Sequence, residues 1–316
     1  MEVFSEDGQC PKTISNVPPF AAAGQMVNLL NNKLQVLAFS DTEKVWISSS
    51  MENPLGGILA NPWSKRISSI DSKASGYDIS YVHFDKIFLS GGHPKKQAQL
   101  EAYKWIELIE RSFVHNGSNF TSGACQITLD NNNFLLMGGL SFDSKIPVDS
   151  VMTVNAAKKT VLPQKSLLYA RCHHSCEVLN ETSLLISGGF SDPNNLSSIV
   201  PDEIYNRETG ESQEVSSSLR RYNHRLIRLQ NNIFALGGQN ASGSPTFTVE
   251  KFESSNRSWI QHNKNLSSNA TGRLSVTALP MSALDCQGCM CGGKKSARIF
   301  KGVNAKVCIL LILIHV

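Results

Sequence analysis

The chain has 316 residues, of which 41% are hydrophobic and 18% are charged, and its net charge is +4. This is enough apolar material for a globular core, and the weakly basic balance lacks the lysine–arginine stripe expected of a nucleic-acid-binding protein. The sequence begins without the basic start and apolar run of a signal peptide, so no leader is predicted from it.

Taken in chain order, the predicted elements are apolar strands that recur at a nearly constant spacing. The first covers residues 33–40 and has no glycine pair. The next four each end in two glycines, and they cover residues 86–92, 133–139, 183–189 and 232–238. Their first glycines lie 47, 50 and 49 residues apart. Such a constant period predicts a repeat in which every unit is one supersecondary motif.

Each repeat is predicted to contain four antiparallel strands. An apolar stretch such as 225–229 precedes the glycine-pair strand across an Asn-rich turn, which is typical of a hairpin. Residues 248–253 then alternate as in a half-buried strand, and 259–260 mark a short fourth one. No segment has a helical period, so the fold class is predicted to be all-β.

The last predicted elements are the strands 273–279 and 307–314, with a glycine pair at 292–293 between them. The second of these strands is almost purely apolar. A membrane-spanning helix needs about 20 residues, so this short run is interpreted as a strand and no membrane span is predicted.

The motifs together resemble the kelch repeat. An apolar strand ending in Gly237-Gly238 is followed by Phe252 and Trp259, and an Arg-x-x-His opening appears twice, as Arg171 with His174 and Arg221 with His224. The resemblance implies a six-bladed kelch-type β-propeller with four antiparallel strands per blade. Its repeat glycines are Gly91, Gly92, Gly138, Gly139, Gly188, Gly189, Gly237, Gly238, Gly292 and Gly293.

This resemblance also sets the predicted domain boundaries. Residues 1–20 form an N-terminal segment and 21–316 a single propeller domain. The repeats are best supported over 74–261, with a degenerate first blade at 21–73 and an atypical last blade at 271–316.

Cysteine and histidine clusters raise the alternative of a zinc site. The eight cysteines are Cys10, Cys125, Cys172, Cys176, Cys286, Cys289, Cys291 and Cys308. Residues 172–176 and 286–291 hold enough soft ligands for tetrahedral coordination. However, the two clusters belong to different repeats, and a strand over 172–176 would put positions 172, 174 and 176 on one face and His173 on the other. We therefore predict no metal site and no cofactor, and the disulfide state stays open.

Enzymatic activity is not predicted. The sequence has no Gly-x-Ser-x-Gly elbow and no phosphate-binding glycine loop. Some kelch-like propellers are sugar-active or oxidising enzymes, and that remains an alternative on the fold resemblance alone. No catalytic residue is assigned.

Sequons for N-glycosylation are more frequent than composition predicts. From 25 asparagines about four are expected if Ser and Thr fill roughly a sixth of positions. The chain has eight, at Asn116, Asn119, Asn180, Asn195, Asn240, Asn256, Asn265 and Asn269. The excess favours an extracellular protein and the missing leader a cytoplasmic one, so localisation is left undecided.

The resemblance implies that loops on one face of the propeller bind a protein partner, with the protein acting as a monomeric, non-catalytic scaffold. The predicted loop segments are 93–99, 140–149, 190–202 and 239–246, and the predicted connections between blades are 115–122, 164–171, 217–222 and 262–273. Six of the eight sequons fall on these segments: Asn116, Asn119, Asn195, Asn240, Asn265 and Asn269. Glycans there would compete with a partner, so a secreted glycoprotein that binds by another surface is the alternative.

Overall fold

The computed structural model describes residues 123–266 with their side chains, apart from 131, 142–143, 156–157, 159, 216–217, 230 and 263–264. Elsewhere it describes only the backbone of the strands given below. The described chain is all-β. Within it, no helix long and apolar enough to cross a membrane is found.

The strands are numbered in chain order. The first thirteen are β1 (Glu2–Ser5), β2 (Lys12–Thr13), β3 (Ala23–Leu30), β4 (Lys33–Phe39), β5 (Val45–Ser49), β6 (Ser64–Lys65), β7 (Ala74–His83), β8 (Lys86–Pro94), β9 (Tyr103–Glu107), β10 (Ser112–His115), β11 (Thr121–Ser122), β12 (Cys125–Thr128) and β13 (Asn133–Met137). The others are β14 (Leu140–Ser141), β15 (Val151–Asn155), β16 (Thr160–Gln164), β17 (Ser175–Val178), β18 (Ser183–Ser187), β19 (Glu203–Asn206), β20 (Ser212–Glu214), β21 (Arg225–Leu229), β22 (Asn232–Leu236), β23 (Thr248–Glu253), β24 (Ser258–Asn265), β25 (Leu274–Pro280) and β26 (Val307–Leu313).

These strands form antiparallel four-stranded sheets. The first sheet is β3–β6, the second β7–β10, the third β12, β13, β15 and β16, the fourth β17–β20 and the fifth β21–β24. The sixth has the order β2-β1-β26-β25, so strands from both ends of the sequence share it. A separate two-stranded sheet pairs β11 with β14.

The predicted strands are largely confirmed. The structure places strands at every apolar run named above, including the one at 307–314, which forms β26. One strand extends further than expected, because β8 continues through Gly91 and Gly92 to Pro94. Another begins later than expected, because the regular part of β17 starts at Ser175.

The first strand of each sheet contacts the first strand of its neighbours. β12 contacts β7 and β17, β21 contacts β17 and β25, and β3 contacts both β25 and β7. The contacts therefore return from the sixth sheet to the first.

The core lies between successive sheets. On β18, Leu184 and Ile186 pack with third-sheet residues such as Met137, whereas Leu185 packs with fifth-sheet residues such as Ile233. Successive side chains on a strand point to opposite faces, so a strand buried on both sides must be apolar at every position. This accounts for the continuous apolar runs before the glycine pairs.

Candidate functional site

Each described glycine pair turns the chain at the end of the second strand of its sheet. Gly188 and Gly189 have φ of 62° and 80°, and Gly237 and Gly238 have φ of 60° and 87°. Side chains are disfavoured at such angles, which is why glycine occupies the turn. The pair at Gly138 and Gly139 has the same sign of φ.

For two of the described glycine pairs, the arginine that opens the next repeat links the pair to the following sheet. The N–H of Gly139 donates to the carbonyl of Arg171 (2.7 Å), and that of Gly189 to Arg221 (3.0 Å). The guanidinium of Arg171 in turn donates to the carbonyl of Gly188 in its own sheet (2.9 Å). Arg221 makes the corresponding bond to Gly237 (3.0 Å). Each arginine therefore joins two glycine pairs.

The histidine three residues later fills the remaining space. A Cβ added to Gly138 would lie 2.7 Å from Cε1 of His174, and one added to Gly188 would lie 2.8 Å from Cε1 of His224. Both histidines are buried, and burial lowers the pKa of each well below its ordinary value. They are neutral packing residues of the repeat.

Buried ion pairs complete these junctions. Arg171 pairs with Glu203 (2.7 Å), both side chains being fully buried, and Arg221 pairs with Glu250. Asp202 accepts hydrogen bonds from the N–H of Gly188 (2.9 Å) and from Nε1 of Trp259 (2.7 Å). Burial raises the pKa of Asp202, and these bonds oppose that rise. The charged groups of the motif are therefore engaged in holding turns in place.

The predicted loops and connections of the described repeats lie side by side. We call the described residues of segments 140–149, 190–202, 239–246, 164–171 and 217–222 the loop face. The N–H of Leu167 donates to the carbonyl of Asp149 (2.8 Å), and the N–H of Arg171 to that of Val148 (3.1 Å). In the next repeat the N–H of Leu219 donates to the carboxylate of Asp202 (3.2 Å).

A second set of backbone bonds repeats nearer the first strands. Gly123, His173 and Asn223 are spaced by 50 residues and all have positive φ, of 67°, 57° and 55°. The N–H of His173 donates to the carbonyl of Gly123 (2.9 Å), and that of Asn223 to His173 (2.8 Å). Three successive repeats are thus joined by one chain of bonds.

His173 belongs to a cluster of aromatic and amide side chains that the sequence did not lead us to predict. Its ring stacks on Phe190 with centroids 5.3 Å apart, and Phe190 meets Tyr222 edge-on at 5.2 Å. Nδ1 of His173 lies 3.0 Å from Oδ1 of Asn223, whose Nδ2 donates to Gln239 (3.1 Å). The signal that could have revealed this cluster is the 50-residue spacing of positions 123, 173 and 223.

The expected strand over residues 172–176 is wrong, because His173 has positive φ and breaks it. Cys172 packs with Phe190 and Tyr222, whereas Cys176 is bonded to Cys125 of the third sheet. Burial raises the pKa of the Cys172 thiol to about 12, so it stays protonated. Among the residues described, no group of three His, Cys, Asp or Glu side chains could hold a metal ion.

Among the side chains that the structure describes on the loop face, three are apolar and exposed. Ile146 is 60% exposed, Leu168 50% and Leu196 38%. Two more lie on the fourth strands of their sheets, Leu162 at 60% and Ile260 at 51%. The loop-face residues sit on fixed backbone, since the Leu168 N–H donates to Glu203 (2.8 Å) and the Ile146 carbonyl accepts from Ser141 (2.9 Å).

The five described sequons are all exposed. Asn195 and Asn240 lie on the loop face, and Asn265 ends β24. Asn180 and Asn256 lie in the β17–β18 and β23–β24 turns, at the opposite ends of the strands.

The remaining predicted residues lie outside the described side chains. They are the sequons Asn116, Asn119 and Asn269, the glycines Gly292 and Gly293, and the cysteines Cys10, Cys286, Cys289, Cys291 and Cys308. The loop 93–99 and the connections 115–122 and 262–273 also fall wholly or largely there.

No model of a protein family matches the chain, and a search of curated proteins finds no match to it. The functional proposal therefore rests on the geometry of the loop face.

Proposed function

We propose that the chain is a six-bladed kelch-type β-propeller. Two observations support this. First, contacts between the first strands of successive sheets return from β25 to β3. Second, β1 pairs with β26, so the start of the chain completes the last sheet. A ring closed in this way leaves only short, protected sheet edges.

The function proposed is a non-catalytic scaffold whose loop face binds a protein partner. The observation that carries it is the pair Ile146 and Leu168, whose exposed apolar side chains stand on hydrogen-bonded backbone. Connecting segments usually tolerate polar residues, so apolar side chains held there on a rigid framework favour recognition. An interface gains most from such anchors when they do not have to be ordered on binding.

The sector of Ile146 and Leu168, by which we mean segments 140–149 and 164–171, contains no sequon. Leu196, the third exposed apolar side chain, directly follows the sequon residue Asn195. We therefore assign the partner contact to the sector of Ile146 and Leu168.

A scaffold role is favoured over catalysis because the buried ionisable groups of the described glycine–arginine–histidine junctions already have structural tasks. Arg171 and Glu203 neutralise one another, and Asp202 holds the turn at Gly188. His174 and His224 fill the space beside glycines. None of these groups is left to perform proton transfer on a bound substrate.

The test compares two matched double variants in quantitative affinity capture. Ile146→Asp with Leu168→Asp places charges on the loop face, and Leu162→Asp with Ile260→Asp places the same charges on the outer strands. We expect proteins captured by the wild type to be lost with the first pair and retained with the second.

Loss of binding with the Leu162 and Ile260 pair alone would place the partner on the fourth strands of the sheets. The exposed side chains of Leu162 and Ile260 are the observation that favours this second candidate site. Loss with neither pair would contradict both assignments. Unchanged thermal unfolding of both variants is the control, since all four side chains are exposed.

A further inference from the structure

The sequons at Asn180, Asn195 and Asn240 share one local geometry. In each, Oδ1 accepts from the backbone N–H two residues ahead, which belongs to Thr182, Ser197 or Ser242. The hydroxyl of that same residue also lies within hydrogen-bond distance of Oδ1, at 3.3, 2.5 and 2.7 Å in turn.

The amide nitrogen at these three positions is available. Within the described residues Nδ2 of none of the three makes a hydrogen bond, and the side chains are exposed. A sequon that lies in an exposed turn leaves its Asn open to attachment of a bulky glycan. Turn chemistry explains why Asn and Ser occur here and why Oδ1 is the bonded atom, since the same turn forms at Asn206, which is not in a sequon. The three sequons differ from Asn206 in having the hydroxyl residue that glycosylation requires.

An independent observation concerns the cysteines. Cys125 on β12 and Cys176 on β17 form a disulfide between the first strands of neighbouring sheets, with Cα atoms 5.9 Å apart. Disulfides persist in secreted proteins and in the lumen of the secretory pathway, and they are rare in the reducing cytosol. N-glycosylation of Asn-x-Ser/Thr takes place in the same pathway.

We infer that this chain folds in the secretory pathway, where Asn180, Asn195 and Asn240 become N-glycosylated and Cys125 is oxidised to Cys176. In the first reaction Nδ2 bonds to the anomeric carbon of an oligosaccharide carried on a lipid pyrophosphate. The bond between that carbon and the pyrophosphate oxygen breaks, and the proton lost from Nδ2 leaves with the lipid pyrophosphate. In the second, two thiols give up two protons and two electrons to a disulfide-bearing oxidant, which is reduced to a dithiol.

The glycan positions divide the loop face. Asn195 and Asn240 place glycans on the segments 190–202 and 239–246, whereas 140–149 and 164–171 carry none. The sector of Ile146 and Leu168 therefore stays accessible. This inference does not depend on the proposed partner site, because Asn180 and the disulfide lie away from the exposed apolar pair.

The experiment maps modifications on the protein isolated from the cells that naturally make it, and on the full chain secreted from cultured cells behind an added leader. Glycosidase treatment converts a glycan-bearing Asn to Asp, which peptide mass spectrometry locates. Non-reducing peptide mapping locates the disulfide. We expect conversion at all three asparagines and a peptide that joins Cys125 to Cys176, in both samples.

Matched variants of the secreted chain separate the sequon from the fold. Asn195→Gln and Ser197→Ala should each remove one glycan, because one deletes the acceptor and the other the required hydroxyl. Asn194→Gln, an exposed neighbour outside the sequon, should remove none.

The inference is overturned if the natural protein has unmodified asparagines at the three positions, or if Cys125 and Cys176 are recovered from it as free thiols. The affinity capture is then repeated with the glycosidase-treated protein. This measures binding by the sector of Ile146 and Leu168 in the absence of glycans, so failure of the glycosylation inference is distinguishable from failure of the partner site.

Discussion

At the scale of single residues, the repeat is an interlocking of glycine, arginine and histidine. The backbone of Arg221 approaches so closely that a Cβ on Gly188 would lie 2.0 Å from its carbonyl oxygen. His224 closes the other side of the same glycine. The glycine pair and the Arg-x-x-His motif are therefore two halves of one contact between neighbouring sheets, and this is why they recur together in the sequence.

Replacing Gly188 by Ala tests this contact against a matched position. Gly188→Ala adds both left-handed strain and a clash with backbone, whereas Gly243→Ala adds comparable strain with the nearest atoms 3.7 Å away. We expect Gly243→Ala to cost about 1 kcal/mol of unfolding free energy, and Gly188→Ala at least about 2 kcal/mol more. Urea unfolding measures both, and equal losses would contradict the interlock.

The buried histidines predict a loss of stability in mild acid. His174 and His224 have their pKa values lowered, first by burial and then by cationic neighbours, Arg171 and Arg225 around one and Arg221 and Arg225 around the other. Below the ordinary value of 6.5 the unfolded chain binds protons that the native chain does not. Stability is therefore fully present above about pH 6.5 and falls as the pH drops, by at most about 1.4 kcal/mol per pH unit for each histidine.

His224→Gln isolates this effect, because glutamine is polar but does not titrate. The slope of unfolding free energy against pH, measured by urea unfolding between about pH 5.5 and 7.5, should be shallower in the variant by up to about 1.4 kcal/mol per pH unit. Asp202 has its pKa raised by burial, so its contribution has the opposite sign, and it is common to both proteins. An unchanged slope would mean that His224 is not buried in its neutral form.

At the scale of the strand and sheet, the buried ion pairs connect elements that the hydrogen-bond ladders do not. Arg171 is the last residue of the loop-face connection after β16. Its guanidinium donates to Glu203 on β19 and to the carbonyls of Gly188 and Pro201. Glu203 also accepts a hydrogen bond from the backbone N–H of Leu168. One ion pair thus sets both the junction of two sheets and the position of an exposed apolar side chain.

Removing one partner of this pair should cost more than removing both. Arg171→Met leaves Glu203 buried and uncompensated, for which we expect a loss of about 3–5 kcal/mol in unfolding free energy. The double variant Arg171→Met with Glu203→Leu buries no charge and should recover part of that loss. Denaturant unfolding measures the unfolding free energy of both variants. A double variant no more stable than the single one would contradict the expectation that an unpaired buried charge causes the loss.

The strands of the repeats were predictable because the signal recurs every fifty residues or so and each strand has its own apolar pattern. The strands β1 and β2 were not, because residues 1–20 were predicted to be a separate segment and contain no copy of the repeat signal. The pairing of Cys125 with Cys176 was not predicted, although they lie 13 and 12 residues before their glycine pairs and so occupy nearly equivalent positions. The break at His173 was not predicted, because histidine indicates a left-handed backbone less clearly than the glycine and asparagine at the equivalent positions 123 and 223. The cluster around His173 depends on side-chain contacts between repeats, and the 50-residue spacing of positions 123, 173 and 223 marks its place but not those contacts.

At the scale of the whole molecule, a closed ring would explain how loops from different repeats become one surface. Each described connection is bonded to the loop of the sheet before or after it, so neighbouring repeats fix one another's loops. Successive sheets also bury the apolar faces of each other's strands. A single sheet lacks both the core and the fixed loops, so the proposed binding face would belong to the ring and to none of its parts.

Closure can be tested at the joint between the two ends of the sequence. In the antiparallel pairing of β1 with β26, Val3 lies opposite Leu310 and Glu2 lies opposite Leu311. Opposed positions on paired strands have Cα spacings within the range that a disulfide bridges. Val3→Cys with Leu310→Cys should therefore cross-link under oxidation and raise the midpoint of thermal unfolding by several degrees, because the bond closes nearly the whole chain into a loop.

The matched control moves one cysteine by a single position. Val3→Cys with Leu311→Cys joins positions that are one residue out of register. Adjacent positions of a strand alternate between the faces of a sheet, so no cross-link should form in the folded protein. Non-reducing peptide mapping distinguishes the new bond from any that involves Cys308, the neighbouring cysteine of β26. A bond in the first variant alone would establish that the sixth sheet joins the two ends of the sequence. A cross-link in neither variant would mean that β1 and β26 are not paired and that the ring is open. The loops of the terminal repeats would then lack a neighbouring repeat to fix them.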